Sequence, residues 1–228
     1  MCEEFNTLFE VAVAMITGVG GTLVEDMDYA IFEDAGRLLY EGSFVAERVS
    51  GVKEWYDAHP APPPGSDKED ALLPEIRTIY DAAARNFTAV DAWTDALKMM
   101  QYQRRANAEF AEKNVQVLIV PTVPLHPTKD AYRKDPIALN HLLGKVFIFH
   151  LLLELYYEIS LTTSFQFTHY GNILDMTGVS IPAGFTSDGM PFAITVLGQS
   201  FTEGMVLEIA QRFERASAHP PGVDAKRT

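Results

Sequence analysis

The chain has 228 residues, 47% of them hydrophobic, which is enough apolar material for a sizeable core in one or two domains. Its formal net charge of -13 and pI near 4.8 argue against a phosphate-binding surface, because clustered Lys and Arg supply most of the affinity for nucleic acid. Cys2 is the only cysteine, so no disulfide closes within the chain, no cysteine zinc site can be built, and a reducing, cytoplasmic setting fits best.

At the amino terminus, Glu3 and Glu4 stand where a secretory signal would need positive charge, so export is not expected. From Glu4 to Ile16, the residues Phe5, Leu8, Phe9, Ala12, Val13 and Ile16 recur at three and four positions and predict an amphipathic helix. Gly18, Gly20 and Gly21 end it as a C-cap, and Thr22 to Glu25 reads as a short strand. A further helical segment is predicted from about Ile31 to Tyr56. The run Pro60, Pro62, Pro63, Pro64, Gly65 then makes a loop, not a domain linker, because helical patterns resume soon after.

Thr88-Ala89-Val90-Asp91 places a hydroxyl before a helix and a carboxylate three residues on, an approximate capping box. A long helix to about Lys113 should follow. Val115 to Val120 is a β-branched apolar run stopped by Pro121 and Pro124, the pattern of a strand buried on both faces. Two more strands are predicted, Val179 to Ile181 and Phe192 to Leu197, and a final helix from Gly204 to Ala216. Helices interleaved with short buried strands make the class α/β.

Local signatures of chemistry are sparse. There is no Gly-x-Ser-x-Gly elbow and no Walker loop. Ser50-Gly51-Val52-Lys53 matches a Ser-x-x-Lys spacing, but the companion elements of that motif do not follow. His59, His126, His141, His150, His169 and His219 never pair at metal-ligand spacing, so no metal and no cofactor is implied.

Four stretches together carry a resemblance to a known enzyme family. The first is Arg37-Leu38-Leu39-Tyr40-Glu41-Gly42-Ser43-Phe44-Val45-Ala46-Glu47-Arg48, and the second is Phe87 to Asp91, leading into the long helix. The third is Val117-Leu118-Ile119-Val120-Pro121-Thr122-Val123-Pro124, with Pro136 and Asn140 downstream. The fourth runs from Asn172-Ile173-Leu174-Asp175-Met176 through Ile181-Pro182-Ala183-Gly184-Phe185 to Asp188-Gly189-Met190-Pro191-Phe192. Pro-Ala-Gly-Phe belongs to amidase-signature enzymes generally, whereas Tyr40 to Arg48 looks specific to allophanate hydrolases.

The resemblance implies a carboxy-terminal part of an amidase-signature fold, a mixed sheet flanked by helices, over residues 1–216 with a tail at 217–228. It also implies hydrolysis of a carbon–nitrogen bond in a small carboxylated urea derivative. The family's serine, cis-serine and lysine lie in a Gly- and Ser-rich core. No Gly-Gly-Ser-Ser-Gly-Gly run and no adjacent serines occur here, so the chain alone is expected to be inactive, with no catalytic residue of its own. Its expected share is substrate binding. Arg48 would grip the substrate carboxylate through two parallel hydrogen bonds, and Tyr40 would donate a hydroxyl. On one continuous helix, a spacing of eight residues sets the two about 80° apart and two turns separated, so that both face one pocket. The competing reading places Arg48 in a surface pair with Glu47 or Glu41 and Tyr40 in the core.

Expected partners are a small-molecule amide substrate and either a second copy of the chain, as a homodimer, or the missing amidase half; nucleic acid and membrane are not expected. The alternative function is a non-catalytic remnant that binds a small acid or a partner protein. Residues 146–166 depart from the family pattern as an apolar insert. Glu154, Glu158 and His150 argue against a membrane span. An amphipathic helix fits less well than a translated intron, since a valine codon begins with GT, a glutamine codon can end in AG, and Leu161-Thr162 can encode a branch site.

Overall fold

The computed structural model describes residues 3–135 and 168–217. The insert at 146–166, Pro136, Asn140 and the tail beyond Ser217 lie outside the described residues. Among the described residues, the helices are α1 (Glu3–Gly18), α2 (Ala30–Glu41), α3 (Phe44–Gly51), α4 (Lys53–Ala58), α5 (Pro74–Asn86), α6 (Ala89–Glu112), α7 (Lys129–Lys134), α8 (His169–Ile173) and α9 (Glu203–Ser217). The strands are β1 (Val117–Pro121), β2 (Thr177–Phe185) and β3 (Pro191–Gly198).

The three strands form one sheet in the order β1-β3-β2, antiparallel throughout, with Ile119 opposite Val196 and Val179 opposite Val196. Alternation of side chains across a strand divides them between two cores. On one face Leu118, Val120 and Leu197 pack with Phe32, Ala35 and Leu38 of α2, Ala106 and Phe110 of α6, and Tyr170 and Ile173 of α8. On the other, Ile181, Ala183, Phe192, Ile194 and Val196 pack with Phe5 and Ala12 of α1 and Val206, Ala210 and Phe213 of α9. β1 is therefore covered on both faces, as its unbroken apolar run predicts. Each large side chain buried this way contributes about 1.5–3 kcal/mol. Rings meet edge to face at Phe32–Tyr170 (5.2 Å) and Phe5–Phe192 (5.1 Å), the arrangement that the aromatic quadrupole favours.

The start of α6 is a full capping box. Thr88 Oγ1 accepts from the Asp91 N–H, and the Asp91 carboxylate accepts from the Thr88 N–H at 2.8 Å. α1 ends where the glycines predict, and Gly20 takes φ +98°, which glycine alone adopts without strain. The proline-rich stretch is a loop, pinned by Arg77. Its guanidinium holds Asp70 through two bonds (2.9 and 2.6 Å) and donates to the His59 carbonyl.

Two expectations are corrected. Thr22 to Glu25 is not a strand: this segment forms no ladder, and Leu23 is exposed. It runs as a loop into polar anchors at the far end of α6, where Asp26 pairs with Lys113 (2.6 Å) and the Asp28 N–H donates to Glu109. The helical segment from Ile31 to Tyr56 is three helices, α2, α3 and α4, with breaks at Gly42-Ser43 and at Val52. Gly42 is extended, with φ -93° and ψ 176°, so the α2 hydrogen-bond ladder stops there.

Candidate functional site

The corner between α2 and α3 carries the stretch from Tyr40 to Arg48, and the long helix α6 fixes its shape. The Ser43 N–H, left without a helical acceptor at the start of α3, donates to Asp95 Oδ2 of α6 at 2.9 Å. Asp95 is itself buried and also holds Lys98 Nζ at 2.9 Å. Burial acts to raise the Asp95 carboxyl, but the Ser43 N–H and the Lys98 ammonium outweigh it and leave the group below the ordinary aspartate value. The buried carboxylate is thus ionised and compensated.

Gly42 is required by the same packing. A Cβ on it would lie 2.8 Å from the Leu38 carbonyl oxygen and 3.1 Å from Asp95 Oδ2. A side chain there would push α2 away from α6.

Arg48 lies in α3, exposed, beside Val45 and Val49, which pack against Ala83 of α5. Tyr40 lies in the last turn of α2. The two residues therefore do not share a helix, and the 80° relation of a continuous helix does not hold. Their relative placement is set by the turn at Gly42-Ser43 and its anchor on Asp95. A cleft of about 430 Å³ opens next to this corner, between α2 and α6. Asp34, Arg37, Glu41, Asp91, Asp95 and Lys98 bring charge to its walls; Arg48 is not among its described lining residues.

Two other features carry polar or apolar character. Thr122 Oγ1, just past the end of β1, lies 2.9 Å from Ser180 Oγ of β2 and 2.8 Å from Thr195 Oγ1 of β3, a group of hydroxyls on the sheet face that holds α2 and α6. An apolar cleft of about 690 Å³ lies between α1, the loop at residues 19–29, β1 and α9.

Ser50 and Lys53 do not form a nucleophile–base pair. The Ser50 hydroxyl donates to the Glu47 carbonyl and the Lys53 ammonium to Asp57. Among the described residues, no cluster of three His, Cys, Asp or Glu side chains could hold a metal, and no helix is long and apolar enough to cross a membrane. Sequence reasoning missed Asp95, whose role depends on a contact 52 residues away. It also read through Gly42-Ser43, a pair that signals a helix end followed by a helix start.

The Amidase family model matches residues 23–207. Urea amidolyase of Saccharomyces cerevisiae is 28% identical over 209 residues, which is 90% of this chain and 10% of that protein. The chain thus spans about a tenth of the length of that relative. Among solved structures, allophanate hydrolase of Kluyveromyces lactis superposes with a TM-score of 0.78 at 26% identity, over 99% of this chain and 32% of that one. A 6-aminohexanoate cyclic dimer hydrolase, at 19% identity and a TM-score of 0.60, shares the fold over 96% of this chain. The helices on both faces of a small sheet are accordingly part of the α/β amidase-signature fold, and the chain belongs to the Amidase family.

Proposed function

We propose that this chain is the substrate-binding, carboxy-terminal part of an amidohydrolase domain of the allophanate hydrolase type. The observation that carries this reading is the α2–α3 corner. The stretch from Tyr40 to Arg48 is the one that resembles allophanate hydrolases most specifically, and here it is a braced turn that leaves Arg48 exposed. A guanidinium held on a short packed helix suits a planar carboxylate, and Tyr40 supplies the hydroxyl donor of the same site. The substrate is then a small amide bearing a carboxylate, such as a carboxylated urea.

Nucleophile and base come from outside this chain, because its sequence holds no Ser-Gly-rich run with adjacent serines. Residues 146–166 fit a translated intron in this scheme, and a working setting in the cytoplasm fits a chain whose one cysteine is Cys2. The test is complementation. Ammonia release from a carboxylated urea should be at buffer level for the chain alone and should appear when a Ser-Gly-rich amidase half is supplied with it. Hydrolysis by the purified chain alone, after exclusion of host amidases, would overturn the reading.

A further inference from the structure

The loop between α4 and α5 holds a proline run whose conformation follows from its own sequence. Pro60, Pro62, Pro63 and Pro64 have φ fixed at about -65° and no N–H, so the run joins neither a helix nor a strand ladder. Ala61, Pro62 and Pro63 each precede a proline, which disfavours the α region and leaves them extended. Backbone of this kind is polyproline II, a left-handed helix with about three residues per turn. The structure has no helix or strand over residues 60–63, and the run closes in a turn. The Ser66 N–H donates to the Pro63 carbonyl at 3.0 Å, and Gly65 takes φ +80°. A turn with proline and glycine at its two central positions keeps Pro64 extended as well.

Exposure follows the same period. Pro62 is half-buried and turned toward the body of the protein, while Pro60, Ala61, Pro63 and Pro64 are exposed. Residues three apart share one side of a polyproline helix, so Pro60 and Pro63 make one exposed ridge, with Ala61 and Pro64 beside it.

One buried side chain ties both ends of this loop. Arg77 of α5 donates to the carbonyl of His59, just before the run, at 2.9 Å, and to both oxygens of Asp70, beyond it, at 2.9 and 2.6 Å. The His59 ring in turn stacks on the exposed Trp55 of α4 at 4.4 Å, a flat aromatic step at the entry to the ridge. A segment ordered in advance loses little entropy on binding, which is the basis on which short polyproline ligands are recognised.

We propose that residues 60–64 are a preformed ligand for a polyproline-recognition domain, which takes the Pro60–Pro63 ridge into a groove lined by aromatic rings. Pyrrolidine rings present apolar faces and the run's carbonyls accept hydrogen bonds, so Tyr and Trp, with an apolar body and one donor, match both. Charge narrows the class. Asp67, Lys68 and Glu69 follow the run, all exposed and with acid in excess, on a chain of net charge -13. A groove rimmed by Lys or Arg therefore fits, and one rimmed by acids is disfavoured. This contact is independent of the amidohydrolase reading, since it uses neither Arg48 nor a second amidase half.

Calorimetric titration of the purified full chain with two isolated domains tests this: an EVH1 domain whose aromatic groove has a basic rim, and an SH3 domain whose groove has an acidic one. The expected result is saturable binding of one EVH1 domain per chain, displaced by a synthetic polyproline peptide and weakened by salt, with the SH3 domain binding at least about 10-fold less tightly. Pro60→Ala and Pro63→Ala should each weaken the EVH1 complex about 10-fold, and Pro62→Ala, on the inward side, by less than about 3-fold, with thermal unfolding confirming that each variant is folded. No saturable EVH1 binding, binding that the polyproline peptide does not displace, equal losses at Pro62 and Pro63, or tighter binding of the SH3 domain would overturn the proposal.

Discussion

The Ser43 backbone N–H donates to the carboxylate of Asp95 at 2.9 Å, and this bond braces the turn between the helices that carry Tyr40 and Arg48. Removing it leaves a buried donor without an acceptor. Asp95→Ala should therefore cost about 1–3 kcal/mol of unfolding free energy, readable as a lower denaturant midpoint at unchanged slope. Asp95→Asn keeps an acceptor and loses the charge toward Lys98, so its cost should be the smaller of the two. Equal stability of wild type and Asp95→Ala would contradict the brace.

Gly42→Ala should destabilise by about 1–3 kcal/mol, because the new Cβ would meet the Leu38 carbonyl oxygen at 2.8 Å. Since that Cβ also approaches Asp95 Oδ2, Gly42→Ala and Asp95→Ala should couple. A double-mutant cycle that is additive within about 0.3 kcal/mol would show that the two do not share a corner.

Much of the fold is legible in the sequence, and the exceptions have a common physical cause. The capping box at Thr88, the both-face burial of β1 and the glycine stop after α1 each depend on residues within a few positions, and all three stand in the structure. The break at Gly42-Ser43 does not show in the periodicity. Leu38, Val45 and Val49 keep a helical phase across it, so the apolar pattern continues while the backbone turns. What decides is Asp95, far along the chain, which supplies the acceptor that a continuing helix would otherwise have supplied. Thr22 to Glu25 fails as a strand for a similar reason. The chain just after it is anchored at Asp26 and Asp28 by Lys113 and Glu109, and the segment pairs with no described strand, so its own β propensity does not decide.

Acid should unfold the chain through its braced carboxylates. The Arg77 guanidinium holds Asp70 below the ordinary aspartate value, hydrogen bonds from Thr88 do so for Asp91, and Asp95 is lowered against the pull of burial. A lowered carboxyl contributes stability that is complete above its unfolded value, and the contribution is lost as pH falls through the lower folded value. Thermal midpoints should thus be flat near neutrality and drop below about pH 4. Asp95→Asn should make that drop shallower; an identical slope would remove Asp95 from the account.

On the exposed surface of the free chain, an ion pair between Arg48 and a small carboxylate is worth only about 0.2–1 kcal/mol. Titration of the free chain with a carboxylated urea should accordingly show no saturable binding in the micromolar range. Tight binding by the isolated chain would instead support a small-acid binding module.

The proposed reading of the substrate carboxylate by Arg48 is tested most directly by comparing two substrates in the complemented enzyme. Arg48→Ala should raise the KM for a carboxylated amide by about 2–4 kcal/mol more than for its neutral counterpart, because a charge pair covered by the second half is far stronger than an exposed one. Tyr40→Phe should act in the same direction and more weakly, since it removes one hydroxyl and keeps the ring. An equal effect of Arg48→Ala on both substrates would contradict the account.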